Sequence, residues 1–183
     1  MCITLCKPKR ARIKDGRMIT IRRPKMSDVK QFTKYINSLV DEDAMIKINE
    51  RQTLKSETAW LKGVLSDIRK NKKHSLLAEC EGELISMVEL RKGFGRQSHV
   101  ASIGMGVKKN YRRLGVATRM MKEILDIGRK DKDVKIIYLD VYAYNRPAIK
   151  LYKRLGFKKV AKLKNRVQHK GKLGDQLIMD YKR

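Results

Sequence analysis

The sequence predicts an α/β protein: three layers, with helices covering a mixed, mostly antiparallel sheet of about seven strands and about four helices. Three observations point there. Short β-prone runs alternate with longer stretches whose apolar residues recur at helical spacing, in the order β-α-α-β-β-β-α-β-α-β-β. The length of 183 residues lets one domain bury a sizeable core. No repeat or linker-like segment divides the chain, so residues 17–183 read as one domain behind a basic arm or leading strand at 1–16.

The elements follow in order. Asp15-Gly16 is a turn signal, and Met18 to Arg23 alternates β-branched and polar residues as a strand does. Ser27-Asp28 predicts an N-cap for a helix carrying Val29, Phe32, Tyr35, Ile36, Leu39 and Val40 on one face. A second helix is predicted from Leu54 to Lys70, with Trp60, Leu61, Val64, Leu65 and Ile68 inward. His74 to Cys80 and Glu83 to Leu90 read as strands around a Glu81-Gly82 hairpin turn. His99 to Val107 is a further strand, and its glycines, Gly104 and Gly106, suggest a bulge or the close approach of a ligand. A third helix starts near Gly115, with Val116, Met120, Met121, Ile124 and Leu125 inward. Val134 to Tyr142 is a strongly β-prone run. Asn145 caps a fourth helix with Pro147 in its first turn and Gly156 at its end. Strands near Lys158 to Leu163 and Gln176 to Tyr181 close the chain, joined by the basic loop KNRVQHKGKLGD.

Charge is the largest global signal. The 45 Lys and Arg against 19 Asp and Glu give a formal +26, spread along the whole chain. Such a field attracts phosphorylated cofactors, nucleic acid or ribosomes, and it repels small cations. No zinc-finger ligand set and no aromatic RNA-binding motif accompanies it. No apolar run is long enough to span a bilayer, and the start has no secretory pattern, so a cytoplasmic protein without membrane contact is expected. Cys2, Cys6 and Cys80 are too few for a disulfide framework, and Cys2-x3-Cys6 without a second pair predicts no metal site.

The stretch YRRLGVATRMM, residues 111–121, carries the first chemical signal. It follows a strand and opens a helix, whose first amides lack internal partners and sit at the positive end of the dipole. Gly115 lets an anion approach those amides without a Cβ in the way, Ala117 keeps the next turn small, and Arg112 and Arg113 add charge. This is the logic of a pyrophosphate cradle. It is neither a P-loop nor a dinucleotide fingerprint, because both spacings are missing. Further on, directly after IIYLDVY, stands NRPAIKLYKRLGF, residues 145–157.

Together these segments resemble the GNAT superfamily of acetyl-CoA-dependent N-acetyltransferases, nearest to its ribosomal-protein-type members. The family's [RQ]-x-x-G-x-[GA] signature is met by Arg112, Gly115 and Ala117. Its second signature is met by Asn145, Ala148, Leu151, Tyr152, Gly156 and Phe157. The resemblance runs over about residues 18–182 and implies the GNAT fold. It further implies that backbone groups of Met105 and Val107 pair with the pantetheine arm. Amides around Arg113, Leu114, Gly115, Val116, Ala117 and Thr118 would hold the pyrophosphate, and Asn145 would bond the pantetheine chain. Tyr152 would protonate the leaving thiolate. Many relatives carry a glutamate as base on the strand that holds Ser102 here. Glu89, on the preceding strand, is the carboxylate left for that task, with His169 as a weaker candidate and a water chain or bulk solvent as the other route for the proton. Asp175 stands where some relatives have a substrate-side acid, but Leu173 replaces the aromatic residue of that pattern.

Two functions follow from different classes. One is an enzyme transferring acetyl from acetyl-CoA to a primary amine in a ternary complex, a protein N-terminus or lysine being favoured over a small-molecule amine. The other is a non-catalytic GNAT-fold module that binds nucleic acid or a ribosome through the basic surface. The acceptor and the oligomeric state, monomer or homodimer, stay open.

Overall fold

The computed structural model describes residues 7–182. Its elements are β1 (Lys9–Arg12), β2 (Met18–Arg22), α1 (Val29–Asp41), α2 (Leu54–Arg69), β3 (Lys73–Cys80), β4 (Glu83–Lys92), β5 (Val100–Val107), α3 (Val116–Lys130), β6 (Ile136–Tyr142), α4 (Arg146–Arg154), β7 (Lys158–His169) and β8 (Lys172–Lys182). The eight strands among the described residues form a mixed, mostly antiparallel sheet in the order β1-β2-β3-β4-β5-β6-β8-β7. The predicted order of elements is recovered with one addition. The stretch before residue 17 contributes β1, paired antiparallel to β2 from Lys9↔Ile21 to Arg12↔Met18.

The chain divides into two compact units, one running up to Glu89 and including Met105–Ile124, the other made of Leu90–Gly104 and Leu125–Arg183. In the first, α1 and α2 pack on β3 and β4. Phe32, Tyr35 and Leu39 from α1 meet Leu61 and Val64 from α2 over Leu77, Leu84 and Met87. The apolar stripe of each helix is what drives this packing. Trp60 sits at the rim, its ring 5.2 Å from that of Phe32. The Thr53 hydroxyl caps α2 by accepting from the Ser56 amide at 3.1 Å.

The start of α1 departs from expectation. Asp28 is the N-cap residue by position, yet its side chain makes no cap bond. Its carboxylate turns back instead, accepting from the Lys25 amide at 2.8 Å and from Arg22 at 2.8 and 2.7 Å. Arg22 also donates through Nε to Glu79 at 2.9 Å, so one guanidinium bridges two acids. Asp28 is buried, and a fully dressed ion pair there outweighs the gain from a cap.

In the second unit β6 alternates buried Ile137, Leu139 and Val141 with half-buried neighbours and pairs with β8 along its whole length, Ile136↔Lys182 to Tyr142↔Gln176. Asn145 caps α4, its Oδ1 accepting from the Ala148 amide at 3.3 Å. Phe157 lies between Tyr152 and Tyr181, with ring centroids at 5.9 and 5.5 Å. The basic loop expected between the last two strands is a continuation of both. The β7–β8 ladder runs on to His169↔Lys172, leaving only Lys170-Gly171 as the turn. Both turn residues have positive φ, 49° and 74°, the twist that a two-residue hairpin requires. The lysines that suggested a loop keep an exposed strand soluble.

Arg22→Ala strands two acids, one of them buried. It is expected to cost about 3 kcal/mol of folding free energy in urea unfolding. A loss below about 0.5 kcal/mol, the size of an ordinary surface change, would show that the bridge is not structural.

Candidate active site

The turn between β5 and α3 has the backbone of an anion cradle. Arg113 and Gly115 both have positive φ, 62° and 89°. The first α3 bond within the helix runs from the Arg119 amide to the Gly115 carbonyl at 3.1 Å, so the amides of Val116, Ala117 and Thr118 have no acceptor inside the helix. A Cβ on Gly115 would approach only Cγ of Lys14, at 4.0 Å, so the space a ligand needs is open. Arg112 behaves differently from the sequence expectation of an added charge at the cradle. Its Nε donates to the Val107 carbonyl at 2.9 Å and its guanidinium pairs with Glu42, which braces the turn against the end of β5.

The Ser86 hydroxyl donates to the Gly106 carbonyl at 2.7 Å, and the Lys108 amide donates to Ile85 at 2.9 Å. Backbone direction alternates along a strand, so Met105 and Val107 turn their groups to the edge away from β4. The Val107 carbonyl is taken by Arg112. The β5–β6 ladder comprises only Val100↔Ile136, Ala101↔Ile137 and Ser102↔Tyr138, although both strands continue. The two strand glycines differ. A Cβ at Gly104 would meet nothing within 4 Å, whereas one at Gly106 would lie 2.6 Å from the Tyr35 hydroxyl and 2.9 Å from Leu39. Gly106 therefore admits helix α1, not a ligand.

Asn145 sits at half exposure with its Oδ1 occupied as a cap, which leaves its amide hydrogens to donate elsewhere. Tyr152 is buried, and burial, with Asp140 adding to it, pushes its phenol up to about 12. Glu89, on β4, accepts from buried Lys73 at 3.0 Å and from the Ser75 hydroxyl at 3.4 Å. Asp175 pairs with Lys162 at 2.8 Å and accepts from the Asn165 amide at 3.1 Å, so it serves the β7–β8 irregularity. His169 stacks on Tyr144 at 6.2 Å. Ser102 lies in the short parallel ladder. No His, Cys, Asp and Glu cluster among the described residues is placed to hold a metal, and Cys2 and Cys6 lie outside them.

A model of the acetyltransferase (GNAT) family matches residues 36–157, two thirds of the chain. The chain belongs to the GNAT acetyltransferase family. It is 29% identical over 138 residues to an N-alpha-acetyltransferase of Sulfurisphaera tokodaii, a stretch covering 69% of this chain and 80% of that protein. Its fold matches the ribosomal-protein-alanine N-acetyltransferase of Brucella melitensis with a TM-score of 0.78 at 22% identity, over 89% of this chain and 99% of that one. It also matches a Salmonella typhimurium protein solved with its cofactor acetyl-CoA, TM-score 0.77 at 17% identity, over 90% and 93% of the two chains.

This GNAT protein is thus an acetyl-CoA-dependent acyltransferase, and its own residues fit that donor: an open glycine and three first-turn amides. No helix among the described residues is long and apolar enough to cross a membrane. Three participants escaped the sequence reading: Glu42 behind Arg112, Lys73 beside Glu89, and Lys14 against the cradle. Each is distant in sequence from the group it touches, and none belongs to a spaced motif.

Gly106→Ala is expected to cost about 2 kcal/mol in unfolding free energy, because its Cβ overlaps Tyr35 and Leu39. Tyr35→Phe in the same chain should recover part of that loss. Equal losses in the single and double variants would mean that the strand, not Tyr35, sets the cost.

Proposed function

We propose that this acetyltransferase modifies the α-amino group of protein N-termini by direct attack on acetyl-CoA in a ternary complex. The observation that carries the acceptor is the relationship to N-alpha-acetyltransferases over most of their length. Acid–base chemistry supports it. An α-amino group has a pKa near 8, so about a fifth of it is neutral at physiological pH, whereas a lysine amine near 10.4 is almost wholly protonated. A site with one modest base therefore suits an N-terminus best. Lysine and small-molecule amines are the competing acceptors.

Acetyl-CoA supplies an activated thioester when bound. The amides around Arg113, Leu114, Gly115, Val116, Ala117 and Thr118 hold its pyrophosphate, while Met105, Val107 and Asn145 hold its pantetheine arm. Arg112 acts from behind by fixing the turn to Val107. The amine nitrogen bonds to the acetyl carbonyl carbon and the carbon–sulfur bond breaks. Glu89 takes the proton released by the amine, and Lys73 positions it. Tyr152 donates its proton to the departing sulfur. Its raised pKa suits a donor, because the phenol stays protonated throughout the working range. The products are an N-acetylated chain end and free CoA thiol.

The basic surface offers a second role beside catalysis. Lys158, Lys159, Lys162, Lys164 and Arg166 crowd one exposed strand, a surface able to hold a polyanion such as ribosomal RNA near the enzyme.

The decisive experiment incubates the protein with acetyl-CoA and three acceptors: a free-N-terminus peptide without lysine, an N-terminally blocked peptide with lysine, and free amino acids. Mass spectrometry then locates the acetyl group. Label confined to the first peptide supports the proposal. Label on lysine or amino acids alone overturns it. No label on any acceptor, with a steeply salt-dependent affinity for RNA, would favour a binding module.

Two variants test the assigned chemistry. Tyr152→Phe should lower kcat by about 10²-fold with KM for acetyl-CoA little changed, and the pH–rate profile should keep its shape between pH 6 and 10. A lost alkaline limb would mean that Tyr152 does titrate in that range. Glu89→Gln should lower kcat/KM most at low pH and recover as pH rises and solvent deprotonates the amine. A loss independent of pH would assign Glu89 a structural role only.

A further inference from the structure

The hairpin that precedes the family-matched region is tied to the cradle at two points and to helix α3 at a third. Its turn is fixed locally: the Ile13 amide donates to Arg17 at 2.9 Å, the Gly16 amide donates to Ile13 at 3.0 Å, and the Ile13 side chain is buried. From that rigid turn the Lys14 amide donates to the Leu114 carbonyl at 3.1 Å, inside the cradle itself. The Arg17 guanidinium lies 4.6 Å from the ring centroid of Tyr111, at the start of the same turn. Lys9 pairs with Glu123 on α3.

These contacts leave Lys14 in an unusual position. Its backbone is held, its residue is exposed, and its Cγ is the nearest atom to the space a Cβ would occupy on Gly115. The ammonium lies three bonds beyond Cγ on a flexible stem. No ion pair of Lys14 exists among the described residues. The acids of the surrounding elements are engaged elsewhere: Asp15 with Arg17, Glu123 with Lys9, Glu83 with Lys108 and Tyr111, and Glu42 with Arg112. Arg112, the motif's own cation, is turned away to Val107 and Glu42. A cation is therefore missing from the motif's arginine and available from the hairpin.

We propose that the β1–β2 hairpin is a wall of the donor site and that Lys14 binds the pyrophosphate of CoA. The proposal rests on the donor site assigned above. The hairpin supplies from outside the matched region the formal charge that Arg112 spends on bracing the turn. Residues 13–17 are then part of the cofactor site and not a tail free to reach a partner.

The test is titration calorimetry of CoA and of dephospho-CoA, which lacks the ribose 3′-phosphate, in roughly 0.15 M salt. Wild type is run beside Lys14→Ala, Lys14→Arg, Gly115→Glu and Lys62→Ala, the last removing one exposed charge from α2. Lys14→Ala should weaken CoA about fivefold, Lys14→Arg should restore most of that, and Lys62→Ala should change nothing. The same factor should appear with dephospho-CoA. A loss confined to CoA would move Lys14 to the 3′-phosphate and overturn the assignment. An equal loss in Lys62→Ala would reduce the effect to net charge, and an unchanged Kd in Lys14→Ala would refute it outright. Gly115→Glu separates the two levels. If it abolishes binding while Lys14→Ala leaves the Kd unchanged, only the hairpin proposal fails. If it too is without effect, the donor site itself is wrong.

Discussion

Two left-handed residues on either side of Leu114, Arg113 and Gly115, set the constraint on which the first unit turns. A backbone bent this way points successive amides outward and cannot hold itself by its own hydrogen bonds. Its neighbours hold it. Arg112 reaches back to Val107 at the end of β5, the hairpin amide of Lys14 caps the Leu114 carbonyl, and Tyr111 is clamped between Arg17 and Glu83. The helix beyond begins with buried Val116 and then Met120, Met121 and Ile124, all fully enclosed. A strained turn with unpaired amides persists because packing on both sides leaves it no other conformation.

The charge of this chain is distributed by the same logic. Acids are few, and many are committed to particular partners: Asp28 and Glu79 to Arg22, Asp131 and Asp133 to Lys92, Glu83 to Lys108 and Tyr111. The Lys108 hydrogen bond holds the Glu83 carboxyl below its usual range, as does the phenol of Tyr111. The cationic surplus faces solvent. A positive field of that size speeds the arrival of an anionic donor such as CoA and disfavours polyamine acceptors. Tyr152 is buried, and burial, with Asp140 adding to it, keeps its phenol protonated.

Much of the candidate site was legible because its signals are local. Asn145 before Pro147, Gly115 after a strand, and the LYKRLGF run each specify a short piece of backbone through steric rules that operate within a few residues. What misled was equally local. Asp28 has the chemistry of a cap and lies where a cap belongs, but Arg22 and the Lys25 amide offered better bonds. Gly104 and Gly106 look alike in sequence, yet one faces open space and the other faces Tyr35. The basic run at residues 164–175 resembles a loop in composition, and the pairing of β7 with β8 makes all of it strand except the turn Lys170-Gly171.

By itself the sequence determined the order of elements, the apolar faces of the helices, the glycine and asparagine positions and the family. These follow from periodicity, from allowed φ and ψ, and from motif spacing, all of which act along the chain. Tertiary structure decided the rest. It committed Arg112 to bracing, gave Glu89 a lysine partner, closed Gly106 and brought Lys14 to Gly115 across about a hundred residues of chain. Those outcomes depend on which surfaces meet when the sheet forms, and no interaction between sequence neighbours encodes them.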